Sequence, residues 1–202
     1  KNYARGVQVA GIANISGEQT AGLQVSSVGN ISGDDMLGLQ IAGMGNLSSG
    51  NMKGLQFAGI LNMSGAASQG LQFSGMLNVA KTGFQGLYGA GIGNITGGDA
   101  QGLFFGGIFN IARGNTEGIS GAGILSYSQS AEGITAAPVN ISGDFEGIQL
   151  GAVNIVDNGQ GIQMGLLNYG DDFEGLPVGL ISYYNNGRKN IDSWVNAAGF
   201  TN

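Results

Sequence analysis

Cysteine and histidine are both absent from this chain of 202 residues. Their absence excludes disulfides, thiol chemistry, Ser-His-Asp and Cys-His nucleophiles and the usual zinc sites. The redox compartment stays open, since a chain without cysteine suits either. Proline occurs only twice, too rarely for collagen or a proline-rich linker. Basic charge is also scarce. Lys and Arg number 7 against 13 Asp and Glu, the formal charge is -6, and no basic block could track a phosphate backbone, so nucleic acid is not an expected partner. Glycine, glutamine or asparagine interrupts every apolar stretch before it could span a bilayer, so no transmembrane helix is expected. No signal-peptide pattern follows Lys1, which fits a processed product or a partial chain.

Glycine is present in excess: 41 residues, where ordinary proteins carry about 7%. Hydrophobic residues reach 42%, too many for a disordered glycine-rich segment. The excess is periodic. "GLQIAGMGN" at 38–46 and "GLQFAGILN" at 54–62 are near copies, and aligned on the first glycine the phrase restarts at Gly6, Gly22, Gly38, Gly54, Gly70, Gly86, Gly102 and Gly118, a step of 16. Gly133, Gly147, Gly161 and Gly175 follow, as the step shortens to 15 and then 14. Twelve units with almost no unrelated insertion mark a repeat architecture.

Read down the units, each position keeps one chemical character. Val7, Leu23, Leu39 and Leu55 form an aliphatic column, and Val9, Val25, Ile41 and Phe57 form another two places on, broken at Gly89 and Gly121. Gln8, Gln24, Gln40, Gln56 and Gln72 lie between them, so apolar and polar alternate with the period of a strand. Further aliphatic columns begin at Ile12 and Ile15. The expectation is that all four aliphatic columns face a common core, with the glutamines as a solvated ladder opposite. Between "GLQFSGMLN" at 70–78 and "GIQMGLLN" at 161–168 one small residue is lost. Such a loss is tolerated at a corner but inverts every later side chain inside a strand. A corner is therefore predicted at pairs such as Ala42-Gly43, a short strand from Met44 to about Ser48, and a second turn in the variable polar segment.

Glycine at this density would cost about 1 kcal/mol per site in a helix interior. A meander of antiparallel hairpins would not need one identical set of columns, whereas stacked parallel coils do. The predicted fold is all-β, a parallel β-solenoid (β-helix) of about twelve 16- to 14-residue coils at residues 1–182, spaced by about 4.8 Å into a rod of roughly 55 to 60 Å. Residues 183–202, with the only tryptophan, Trp194, and the pair Arg188 and Lys189, are expected to cap it or connect to a downstream region.

Asn14, Asn30, Asn46, Asn62, Asn78, Asn94 and Asn110 share a column that Asn140, Asn154 and Asn168 continue, with Ser126 and Ser182 as exceptions. A stacked amide can donate to one neighbour and accept from the other, so this column is read as an inward structural ladder. The same asparagines match the N-glycosylation acceptor in "NIS" and "NIT", a match explained by packing in register.

Two features bear on function. Glu117, Glu132, Glu146 and Glu174 each precede an opening glycine, and Asp144, Asp157, Asp171 and Asp172 lie just before them. This acidic edge is read first as solvated charge; Glu146, Asp157, Asp171, Asp172 and Glu174 are the candidate ligands if it holds calcium, which takes oxygen donors. An acid/base pair would need a cleft that turns this short do not build. In the glutamine column Tyr88 and Phe104 replace Gln on adjacent coils, near Phe105 and Phe109. If that column faces water, the four form an apolar patch able to stack on a sugar or dock a partner; the alternative is repacking of a widened core.

The units GLQxAGxxN and GIQxGLLN, over about residues 6 to 182, resemble the GLQxGLxN repeats of surface-repeat proteins of Gram-negative bacteria. That resemblance implies export and surface exposure. Curli-type amyloid repeats are a weaker likeness because their spacing differs, and hexapeptide acyltransferases fail on both period and the missing histidine. The expected function is non-enzymatic: a secreted or surface-displayed structural or adhesive rod whose partner is a surface glycan, a protein or another copy of itself. The alternatives are a self-assembling extracellular fibre subunit, amyloid-like or stacked end to end, and a carbohydrate-active β-helix enzyme acting through residues such as Asp171 or Glu174.

Overall fold

In the computed structural model, which describes residues 4–186 and 189–190, the chain winds as a parallel β-solenoid without helices among those residues. Long strands such as Thr20–Ser26, Met36–Ala42 and Met52–Ala58 stack on one another, and short strands such as Gly29–Ser32, Gly45–Ser48 and Leu61–Ser64 form a second ladder. Like residues lie beside like: Gly38 beside Gly54, Gln40 beside Gln56, Asn46 beside Asn62. The coil-to-coil pairings are parallel, which excludes the hairpin meander. Among the described residues the one antiparallel pairing joins the two-residue strand Lys189–Asn190 to Ser182 and Tyr183. Most of the expected cap, including Arg188 and Trp194, lies outside the described residues, and Tyr184 still stacks as part of the solenoid.

The opening glycine is required twice over. All twelve of these glycines have positive φ, between 105° and 150°. At Gly70, with φ 122°, a Cβ would also stand 2.1 Å from the carbonyl oxygen of Gly54, one coil below. Any other residue would meet both a strained backbone and a clash.

The shortened coils lose residues at both bends. Ile111 pairs with Tyr127 and Asn115 with Ser130, so the second coil spends one residue fewer on the polar turn. Gly121 pairs with Ala136 and Leu125 with Val139, which removes one more at the corner. The predicted corner deletion is thus one of two, and in neither case does a strand lose its register.

The expected inside and outside are inverted. Gln24, Gln40, Gln56 and Gln72 are fully buried, as are Asn30, Asn62, Ser32 and Ser64. The aliphatic columns face outward, with Met44 51%, Ile41 39%, Phe57 37% and Phe73 38% exposed. Alternation shows that Gln40 and Leu39 point to opposite sides but not which side is the interior. The bend decides it. An asparagine must point inward to reach the carbonyls at the corner, and once Asn46 does so, period two sends Leu47 out and Ser48 in.

Where glutamine is replaced, rings fill the interior. Phe84, Tyr88 and Phe104 are buried together, with ring centroids 4.2 Å apart for Phe84 and Tyr88 and 5.6 Å for Tyr88 and Phe104. A second cluster gathers Phe145, Val156, Phe173 and Tyr184.

Candidate functional site

The interior is organised by two amide ladders of opposite sense. Gln40 Nε2 donates to Gln24 Oε1 at 2.7 Å and Gln56 to Gln40 at 2.6 Å, each toward the preceding coil. Asn46 Nδ2 donates to Asn62 Oδ1 at 2.9 Å and Asn62 to Asn78 at 3.0 Å, each toward the following coil. Asn62 Nδ2 also donates to the carbonyl of Phe73 at 2.9 Å, joining the short strand of one coil to the long strand of the next at the corner. The asparagine column therefore stands as expected, through Asn14, Asn30 and Asn94 and again through Asn140 to Asn168. Each ladder stops where the sequence changes. Gln72 Oε1 has no donor where Tyr88 follows, and Asn140 Oδ1 has none where Ser126 precedes it.

The proposed aromatic patch is not a surface. Tyr88 is 0% and Phe104 2% exposed, because the glutamine column they continue is interior. Tyr88 donates its hydroxyl to the carbonyl of Ser68 at 2.6 Å. Burial raises its pKa above the usual 10.0, against the lowering effect of its hydrogen bonds with Ser68 and Gln85. Burial likewise raises that of Tyr184, whose hydroxyl donates to Gln163 Oε1. Of the remaining two, Phe105 faces outward on the long-strand ladder and Phe109 lies half-buried on the other, so the four residues do not form one site.

The surface that carries apolar side chains is instead the outer side of the long strands. Leu39, Leu55 and Leu71 run beside Ile41, Phe57 and Phe73. Phe57 and Phe73 stack at 5.8 Å with 10° between their planes. Gly89 and Gly121, which break this column in the sequence, now have a reason. A Cβ on Gly89 would stand 2.7 Å from the Phe73 ring, and one on Gly121 3.3 Å from that of Phe105. Each ring lies over the glycine of the next coil, which levels the face. The signal was present in the alternation of Phe and Gly at positions 73, 89, 105 and 121, but it has meaning only if the column faces outward.

Opposite the glycine-rich corner runs the polar edge. Asp35 Oδ1 accepts from the backbone N and the Nδ2 of Asn51 at 2.7 and 3.1 Å. The same acid-to-amide step recurs from Asp144 to Asn158 at 2.9 Å, from Asp171 to Asn185 at 2.6 Å and between Asp172 and Asn186. In the column of Asp144, Asn158, Asp172 and Asn186 carboxylates alternate with amides, whereas Glu117, Glu132 and Glu146 stack directly on one another in register and rely on solvent to screen their charge. Glu146, Asp172 and Glu174 line one shallow groove of about 350 Å³ with Glu132 and Asp144; Asp157 and Asp171 lie outside it. Among the described residues no group of three or more acidic side chains is placed to hold a metal ion together. No family model matches the chain, and comparisons with curated proteins and with solved structures give no match.

Proposed function

We propose that this is a non-catalytic structural repeat protein, a rigid rod that presents a repeated apolar binding face to a partner at a bacterial surface. The observation that carries this reading is the outward placement of the aliphatic and aromatic columns, coil after coil, around a sealed polar interior. Contiguous apolar surface on this scale is characteristic of interaction sites. Backbone ladders and interior amide ladders fix the strands that carry these side chains, so little backbone ordering is needed when a partner binds. Surface location rests on the repeat resemblance, and no helix among the described residues is long and apolar enough to cross a membrane.

The test is attachment. Cells made to display the chain should adhere to one another or to a coated surface more than cells displaying a Phe57→Glu/Phe73→Glu variant at equal surface density. Equal attachment by the two would remove the face as the working part. Turnover of a glycan panel that is lost on changing Asp171 or Glu174 would replace the reading with an enzymatic one.

A further inference from the structure

We propose that the partner of the long-strand face is the same face of a second copy, with the two rods antiparallel. This rests on the reading of that face as a binding surface and adds its occupant. Area selects the face. Seven residues at about 3.3 Å and eleven steps of about 4.8 Å make a plate of roughly 1,200 Å², above the about 800 Å² per partner of a standard interface. The four-residue short strands offer only about 700 Å² by the same measure.

Charge selects the orientation. The column just before the opening glycine borders this face; after Ala21 and Leu37 it is polar and exposed, changing character along the rod from Lys53 through Gln69, Gln85 and Gln101 to Glu117, Glu132 and Glu146. A two-fold axis along the strand direction, passing between the coils of Gly86 and Gly102, keeps this column over itself while reversing the order of coils. It sets Lys53 opposite the partner's Glu132, Gln69 opposite the partner's Glu117 and Gln85 opposite the partner's Gln101. No two like charges meet in that column. Further out, at the solvated turn, two like pairs fall opposite each other, Asp35 with the partner's Asp144 and Glu18 with the partner's Asp157, where solvent screens them.

Shape agrees with the same axis. Phe73 stands opposite the partner's Gly121 and Gly89 opposite the partner's Phe105, so at the centre no ring faces a ring, while toward the ends Ile41 meets the partner's Leu150 and Val25 the partner's Met164 as aliphatic pairs. A parallel pair would bring the charged column of Lys53 and Glu132 over the partner's apolar column of Phe57 and Phe73 and lose these matches. A bilayer suits the face less well, since the acidic side chains of Glu117, Glu132 and Glu146 border it and would have to approach the hydrocarbon.

Sedimentation of the full chain should give twice the monomer mass of 20.4 kDa. Phe73→Glu should give monomers with an unchanged circular dichroism spectrum. Lys53→Glu and Glu132→Lys, each alone, should weaken association by about tenfold, and the two together should restore it. The restoration is diagnostic, because the two residues lie five coils, about 24 Å, apart within one chain and cannot pair there. A monomer at 100 micromolar, a dimer indifferent to Phe73→Glu, or a charge swap without rescue would overturn the proposal. So would a monomer that floats with phosphatidylcholine vesicles, which would give the face to lipid. A monomer that still supports cell attachment would end this inference and leave the proposed function standing; a dimer without attachment would do the reverse.

Discussion

At the scale of one residue, Asn62 shows how much depends on a single amide. Its side chain donates to Asn78 and to the carbonyl of Phe73 and accepts from Asn46, all in the interior. Asn62→Leu would leave buried donors and acceptors without partners on both neighbouring coils, a loss on the order of 3 kcal/mol. A urea midpoint close to that of the parent chain would contradict the ladder. Tyr88 and Tyr184 give a pH dependence with a definite sign. Burial raises both above 10.0, so below that pH both folded and unfolded states keep their protons and stability is unaffected. Above it the unfolded chain loses protons first, and stability falls. Melting temperatures should be level from about pH 7 to 9 and drop beyond pH 10, and the drop should shrink in a Tyr88→Phe/Tyr184→Phe chain.

At the scale of one coil, the two kinds of glycine separate cleanly. Gly70→Ala meets both positive φ and the Gly54 oxygen, and should cost at least about 2 kcal/mol. Gly17 has open space around it, and Gly17→Ala should change stability by no more than about 0.5 kcal/mol. Thermal melts of the two variants compare them directly. The coil was also the most legible part of the sequence, because a fixed step of 16 determines stacking, register and the asparagine column without knowledge of direction. Which face is inside was not legible. Alternation is symmetric between Gln40 and Leu39, and the usual preference for buried leucine points the wrong way once amides can pair with their own copies above and below. The same inversion took Tyr88 and Phe104 from the surface to the interior. The acid-to-amide steps such as Asp144 to Asn158 were readable in principle, since each spans one repeat.

For the whole molecule, an interior of Gln, Asn, Ser and a few rings alters the thermodynamics of unfolding. Heat capacity rises when apolar surface meets water and falls when polar surface does. Much of the apolar surface of this chain is already outside, so calorimetry of the monomeric Phe73→Glu chain should give well under the about 12 cal/mol/K per residue of ordinary domains. A value at or above that figure would mean that the aliphatic columns are buried after all.

The opposed sense of the two amide ladders has a last consequence. From Gln8 to Gln72, and again from Gln149 to Gln163, glutamine dipoles point one way along the axis while asparagine dipoles point the other. Their fields largely cancel within each coil, unlike the aligned peptides of an α-helix, whose macrodipole leaves partial charges at the two ends. Extra repeats can be inserted into such a stretch without building up polarisation, so the amide dipoles set no upper limit on how long a rod of this pattern can grow.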